Sequence, residues 1–139
     1  MKAITLKDFG DADRLQYSEV ETPAPAEGQI LIQVKATSVN RPDIIQRQGN
    51  YPAPPGDSEI LGLEVAGIVE SVGANTSLYK KGDRVFALVG GGGYAEYAVA
   101  HESHCMRIPE ALSFEQAACI CETYITAYLN LFMLGGLLG

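Results

Sequence analysis

The chain has 139 residues, of which 47% are hydrophobic and 19% are charged, a balance typical of a globular protein rather than of a disordered segment. Its formal net charge of −7 at pH 7 argues against nucleic acid and anionic membrane surfaces as partners, because both require clustered Lys and Arg. Three cysteines without framework spacing, and an N-terminus without an apolar signal core, predict a cytoplasmic protein without disulfides.

Short strands separated by glycine and proline turns account for the first hundred residues, and this spacing predicts a small barrel or sandwich. The predicted strands are Lys2 to Leu6, Leu15 to Glu21, Gln29 to Val39, Gly62 to Val72, Asp83 to Val89 and Tyr94 to Ala100. Alternation is clearest in the third strand, where one face is expected to meet the core. That face carries Ile30, Ile32, Val34 and Ala36, and the outer face carries Gln33 and Lys35.

A short helix is predicted between the third and fourth strands. Asn40 is a suitable N-cap with Pro42 in the first turn, and Gly49 ends the helix after Arg47. Five polar side chains occur close together in this part of the sequence: an amide, a carboxylate, a guanidinium, a phenol and a second carboxylate. Together they could orient a ligand and supply a proton. These residues are Asn40, Asp43, Arg47, Tyr51 and Glu64. On spacing alone, a solvated helix face is the alternative.

From Ser113, which opens a capping box with Gln116, the composition turns helical to about Leu134. The chain is therefore divided into residues 1–112 and a helical segment, residues 113–139. Either one helix or two pieces that meet near Cys121 would satisfy the pattern. Residues 123–139 carry no charge, but several are polar and the run is short for a membrane span, so we predict a buried amphipathic helix instead.

Two further patterns resemble ligand sites. Gly90 to Gly93 lack the Lys-Ser/Thr and the helix that a phosphate-binding loop requires, and we predict a hairpin loop there. His101, His104 and Cys105 lie close together, but only two other cysteines could complete a zinc set, so no metal site is predicted.

Five motifs occur in order along the chain. They are Asn40-Arg41-Pro42-Asp43-x3-Arg47-x-Gly49-x-Tyr51-Pro52, Leu61-Gly62-Leu63-Glu64-x2-Gly67, Gly82-Asp83-x-Val85, Gly93-Tyr94-Ala95-Glu96-Tyr97 and Thr126-Ala127-Tyr128. Taken together, they resemble the N-terminal catalytic domain of the medium-chain dehydrogenase/reductase superfamily, specifically its zinc-independent quinone oxidoreductase branch. The zinc-dependent relatives bind zinc through a histidine at the position of Leu63 and through a cysteine in the region of Asn40. This chain has neither ligand, so the resemblance implies no zinc.

The resemblance implies a mainly β fold with helices (α+β), a partly open GroES-like β-barrel whose C-terminal helical segment leads to a Rossmann domain. It also implies NADPH in the cleft between the domains and hydride transfer to a quinone. Carried over by position, Tyr51, Asn40 and Asp43 would be catalytic, and Asn40 and Thr126 would contact the cofactor. The residues that would support the cleft are Arg47, Gly62, Glu64 and Gly67.

Two alternatives accompany this hypothesis. Enoyl-thioester reductases share the Asn-x-Pro-x-Asp and Gly-x-Tyr-Pro patterns, which would make an activated alkene the substrate and Tyr51 the proton donor. The second alternative is a non-catalytic domain that acts through association. The family's glycine-rich dinucleotide turn would follow Gly139. Residues 1–139 alone are therefore expected to catalyse poorly, and an apolar stripe over residues 123–138 is expected to self-associate or to bind a protein partner.

Overall fold

The computed structural model of the chain describes residues 1–137, so Leu138 and Gly139, which belong to the predicted helical segment and apolar stripe, lie outside the described residues. Its strands are β1 (Lys2–Leu6), β2 (Leu15–Glu19), β3 (Gln29–Thr37), β4 (Glu64–Val72), β5 (Arg84–Leu88), β6 (Tyr97–His101) and β7 (Cys105–Arg107). Its α-helices are α1 (Arg41–Arg47), α2 (Phe114–Ala117) and α3 (Thr126–Tyr128). Short 3₁₀ turns cover Ala12–Arg14 and Glu102–His104, and π-helical turns cover Cys121–Ile125 and Leu129–Leu134.

Five antiparallel strands form the main sheet in the order β6-β3-β4-β5-β7, and β1 pairs with β2 in a separate two-stranded sheet. The Ala3–Ala95 bridge attaches this smaller sheet to the segment that precedes β6. The result is a curled half-barrel followed by helix, which confirms the predicted α+β class. All six predicted strands are present. The first has the predicted bounds, the next four are shorter, and β6 begins later and ends one residue later than predicted. The three-residue β7 was not predicted because its pattern is too short to show a period.

The main sheet is buried on both faces near its centre. One face packs into a cluster that includes Ile30, Ile32, Val65 and Val69, and the other packs Ala66 and Phe86 against α2. A β-bulge between Val34 and Ala36 exchanges the faces of β3. Ala36 therefore joins the second cluster, and the prediction that it shares a face with Ile30 and Ile32 was wrong.

The tetraglycine segment is a loop but not a hairpin. It joins β5 to β6, which are separated in the sheet by β4 and β3, so it crosses the end of the sheet. A Cβ atom on Gly90 would lie 2.0 Å from Asp57 Oδ2, and one on Gly91 would lie 2.1 Å from the Ser58 carbonyl oxygen. Glycine is needed because the loop packs directly on residues 57–58, which local sequence cannot reveal.

Helix α2 ends at Ala117, and a second helical stretch, called the C-terminal helix below, covers residues 121–134. Ala118 and Ile120 keep right-handed helical angles, so the two pieces follow one another in one helical run, Phe114–Leu134, that is irregular at residues 118–120. The predicted burial was wrong: every residue from Thr123 to Leu137 is exposed, because no other described segment covers this helix. By length and composition alone, Phe114–Leu134 could cross a membrane, a test that core helices of soluble proteins also pass.

Candidate functional site

Glu64 begins β4, and its carboxylate is the best enclosed polar group of the site, with the residue 1% exposed. Its Oε1 accepts a short hydrogen bond from the Ser38 hydroxyl and a bond of 2.9 Å from Asn40 Nδ2. Its Oε2 accepts from the backbone N–H of Glu122 at 3.0 Å. The Thr37 hydroxyl donates to the Glu64 carbonyl oxygen at 2.7 Å. One carboxylate thus joins the end of β3, the start of α1 and the start of the C-terminal helix.

The side-chain amide of Asn40 has both of its hydrogens engaged. Nδ2 donates to Ser38 Oγ at 2.9 Å as well as to Glu64 Oε1. A carboxylate can only accept hydrogen bonds when it is ionised, so the nitrogen of the amide has to face Glu64. The group that Asn40 can offer to a ligand is therefore its Oδ1, a hydrogen-bond acceptor.

Asp43 lies in the first turn of α1 and is buried. Its Oδ2 accepts from the backbone N–H of Asn40 at 2.7 Å and from the Tyr94 hydroxyl at 3.0 Å, whereas Oδ1 is enclosed without a partner among the described residues. Burial of the Tyr94 ring, reinforced by the Asp43 charge, raises the pKa of that phenol, so Tyr94 remains a donor at neutral pH. Asp43 therefore caps α1 and connects it to the loop before β6.

The two glycines of the site are required by close backbone contacts. Gly62 has a φ of +100°, and a Cβ there would lie 2.6 Å from Tyr94 Cδ1 and 2.7 Å from Gly93 Cα. A Cβ on Gly67 would lie 2.1 Å from the Gln33 carbonyl oxygen on the neighbouring strand. Between Gly62 and Glu64, the side chain of Leu63 is buried. Residues 62–67 are thus packed closely against neighbouring backbone, and the Leu63 side chain is buried among them.

The remaining predicted residues lie apart from the Glu64 network. Arg47 Nε donates to the Gly10 carbonyl oxygen at 3.0 Å, and the Gly10 N–H donates back to the Arg47 carbonyl oxygen at 3.0 Å, so Arg47 braces the loop after β1. Tyr51 is 42% exposed and lines a cleft of about 670 Å³. Thr126 lies on the exposed face of the C-terminal helix, where its hydroxyl donates to the Glu122 carbonyl oxygen at 2.5 Å.

Three members of the site were missed as functional residues by sequence reasoning: Ser38, Tyr94 and Glu122. Tyr94 belongs to one of the five motifs, and Ser38 precedes Asn40 by two positions, so both had a local signal without an assigned role. Glu122 offers its backbone N–H, which no residue type could indicate. Burial, followed by the charges of Glu64 and Asp43, raises the pKa of the Glu122 carboxyl.

The cysteine and histidine side chains among residues 1–137 do not form a metal-binding cluster. Burial, reinforced by Glu64, raises the pKa of the Cys121 thiol to about 12, which makes it a poor nucleophile. His101 Nδ1 pairs with the Ser103 hydroxyl at 2.8 Å, and Cys105 is buried in the first core cluster. Across residues 1–137, no group of three His, Cys, Asp or Glu side chains could hold a metal ion.

Comparisons with known proteins agree with this architecture. Residues 26–110 match the alcohol dehydrogenase GroES-like domain. The quinone oxidoreductase of Lama guanicoe is 43% identical over 130 residues, which make up 92% of this chain and 39% of that protein. The chain thus spans about two fifths of the length of this curated relative.

Two solved structures superpose on nearly the whole chain. The human synaptic vesicle membrane protein VAT-1 homolog-like protein has a TM-score of 0.92 and 36% identity, with 99% of this chain and 44% of that chain covered. A mycobacterial protein solved in complex with NADPH has a TM-score of 0.90 and 30% identity, with 99% and 42% covered. The chain therefore belongs to the alcohol dehydrogenase GroES-like domain family, as the N-terminal catalytic domain of a medium-chain dehydrogenase/reductase.

Proposed function

We propose that this domain is the catalytic portion of an NADPH-dependent quinone oxidoreductase that transfers hydride to a quinone without zinc. The observation that carries the proposal is the Asn40–Glu64 network beside a buried Leu63. The aliphatic side chain of Leu63 cannot bind a metal, and the nearby Asn40 amide and Glu64 carboxylate are hydrogen-bonded to each other. The similarity to a quinone oxidoreductase at 43% identity supports a quinone as the substrate.

The polar groups that remain free fit the nicotinamide end of the cofactor. A carboxamide presents two N–H donors, and Asn40 Oδ1, which faces the Asp43 backbone N–H in the capping box of α1, has a second lone pair that can accept one of them. Thr126 donates its hydroxyl hydrogen to the Glu122 carbonyl oxygen, so its oxygen can also accept. Bound NADPH would supply the hydride. The role of this chain would be to hold the carboxamide from two elements that Glu64 already connects.

The Tyr51 side chain fits the substrate side of such a reaction. A quinone that takes up a hydride, with its two electrons, needs one further proton to become the hydroquinone. Tyr51 reaches the cleft with 42% of its surface exposed, so its hydroxyl can donate to a quinone oxygen, and water can reach the same place. The proton can therefore come from water, with Tyr51 orienting the ring.

The test is quinone-dependent oxidation of NADPH by the complete polypeptide that contains these residues, with and without a chelator. We expect turnover that the chelator leaves unchanged. Loss of activity with the chelator would contradict the zinc-free mechanism, and failure with every quinone tried would contradict the substrate class. The same assay on residues 1–139 alone tests the expectation that they do not suffice.

Reduction of an enoyl thioester is a second candidate, favoured by the exposure of Tyr51 at the cleft. In that reaction the hydride reaches the β-carbon, and a positioned acid has to protonate the α-carbon. Tyr51→Phe separates the candidates. A rate loss of about 10²-fold or more, the typical contribution of a general acid, indicates the enoyl reductase, whereas a quinone reductase keeps most of its rate.

We further propose that the C-terminal helix self-associates or meets a protein partner. Its large apolar side chains are exposed to solvent over more than two turns, and they include Tyr128, Phe132 and Met133. A contiguous exposed apolar surface of this kind is typical of an interaction site.

A further inference from the structure

A cleft of about 670 Å³ separates the loop after β1 from residues 49–61. Two aromatic side chains stand at it, Phe9 from the first wall and Tyr51 from the second. Asn40, Glu64 and Thr126 do not line this cleft, which lies toward the other end of α1. The cleft therefore meets the C-terminal end of α1, whereas Asn40 lies at the N-terminal end of that helix.

The Phe9 ring is held in position although it is 68% exposed. A Cβ on Gly49 would lie 2.9 Å from Phe9 Cγ, so the ring packs directly on the Gly49 backbone. The loop that carries Phe9 is fixed by the two hydrogen bonds between Gly10 and Arg47. An exposed aromatic ring that is fixed in this way offers a flat surface to a ligand at little cost in side-chain entropy.

Gln46 adds an unpartnered polar group to the same cleft. The residue lines the cleft and is only 6% exposed, yet its Oε1 is enclosed and accepts no hydrogen bond from residues 1–137. A half-turn of the terminal amide exchanges the positions of Oε1 and Nε2, so the oxygen can turn to the ligand side. A ligand that brings an N–H group would give this acceptor the partner that the protein does not supply.

The charges around the cleft favour a cation. Its charged lining residues are Lys7, Asp8, Asp57 and Glu59, three acids against one base. The chain as a whole carries −7, so the long-range field also repels anions. Aromatic rings attract cations to their faces, which adds to the effect of the carboxylates.

We propose that this cleft binds a planar organic cation whose positive group carries N–H donors. The flat part of the ligand lies between Phe9 and Tyr51, and an N–H group donates to Gln46 Oε1. The carboxylates of Asp8 and Glu59 balance its charge. Tyr51 is also the residue proposed to orient the quinone, so a bound cation and a quinone would compete for this cleft. The binding test needs neither NADPH nor turnover, so its outcome is separate from that of the quinone reductase assay.

The test uses benzamidine as the probe, followed through the backbone amide shifts of the 139-residue chain by NMR. Benzoate has the same ring with a negative charge, and benzamide has the ring and N–H donors without a charge. We expect saturable shifts confined to residues 5–9 and 46–61 with benzamidine, weaker binding of benzamide and no binding of benzoate. Shifts centred elsewhere, equal binding of benzoate, or no binding at any soluble concentration would overturn the proposal.

Two variants test the contacts one at a time. Phe9→Leu removes the aromatic face, and Gln46→Met removes the acceptor at similar volume. Each should weaken benzamidine binding about threefold or more. Tyr124→Leu is the matched control, because it removes an equally exposed aromatic ring on the C-terminal helix and should leave the affinity unchanged. Unchanged affinity in Phe9→Leu and Gln46→Met, with the fold intact by NMR, would overturn the proposal.

Discussion

At the Glu64 end of the sheet, a buried carboxylate receives three hydrogen bonds, two from the connection at residues 38–40 and one from the start of the C-terminal helix. That helix leaves its own apolar side chains exposed to solvent. Glu64 is 1% exposed, and Leu134 is 72% exposed. A charged group is thus buried at the start of β4, and apolar groups are exposed on the C-terminal helix, which reverses their usual positions.

The difference shows which part of the domain is complete in itself. The Glu64 network satisfies its hydrogen bonds within the chain, so its cost of burial is offset locally. The C-terminal helix forms its own backbone bonds but buries almost nothing, and packing of an apolar face normally supplies most of the stability of a helix. Substitutions at the two ends should therefore have opposite consequences, large for folding at Glu64 and large only for association at the helix.

The largest effect is expected from Glu64→Ala. The substitution leaves the Ser38 hydroxyl, the Asn40 amide and the Glu122 N–H without their acceptor and opens a cavity beside them. We expect the free energy of unfolding in urea to fall by about 3 kcal/mol. Glu64→Gln keeps the volume and one acceptor and should lose less.

Glu110→Ala is the matched control, because Glu110 is exposed and forms no side-chain hydrogen bond among the described residues. It should change the unfolding free energy by less than about 0.5 kcal/mol. If Glu64→Ala lost no more than this control, the network would not hold residues 38–40 and the C-terminal helix to β4.

Gly62→Ala should have the second largest effect. The new Cβ would meet the Gly93 backbone at 2.7 Å in addition to imposing the strain of a positive φ. We expect a loss of about 2–3 kcal/mol, measured by the same urea titration. Gly82→Ala isolates the strain, since Gly82 has a φ of +94° and nothing within 4 Å of its Cβ position. Equal losses in both variants would show that the contact with the Gly93–Tyr94 loop is unimportant.

A smaller, pH-dependent effect is expected at Glu122, the residue where the two regions meet. Its raised pKa means that the folded state holds the proton more tightly than the unfolded chain does, so this group lowers stability as the pH rises through that pKa. Glu122→Gln keeps the backbone N–H that Glu64 accepts and removes the charge. Its urea midpoint should exceed that of the parent near about pH 7, and the gap should close below about pH 4. A lower midpoint for Glu122→Gln near neutral pH would show that the charge is stabilising.

Those features that depend on neighbours along the chain could be predicted from the sequence. The strands, the Asn40 cap and the Ser113 capping box follow from residue types a few positions apart. The role of Glu64 could not be derived in this way. Its partner Glu122 is 58 positions away and contributes only a backbone group. Full burial of the carboxylate is decided by the packing of distant segments.

The same limit explains the structural corrections. Two of them depend on pairing between distant segments. One is the strand order, which separates β5 from β6, and the other is the bulge that turns Ala36 to the other face. The charge-free run after Glu122 indicated a helix correctly, but burial requires a covering surface, and hydropathy alone does not say whether one is present. The family resemblance was recoverable because its motifs are local and occur in order.

The smallest effect on folding is expected at the far end of the C-terminal helix. Leu131 and Leu134 are exposed, so the double variant Leu131→Gln/Leu134→Gln loses no buried contact and should change the unfolding free energy by less than about 0.5 kcal/mol. The same variant should lower self-association, because it interrupts the apolar surface with hydrogen-bonding groups. Sedimentation over a range of concentrations measures this directly. We expect a concentration-dependent increase in mass for the parent chain and a smaller one for the variant. A parent chain that is monomeric throughout would contradict self-association, and would leave the exposed leucines as the contact surface for a different protein segment.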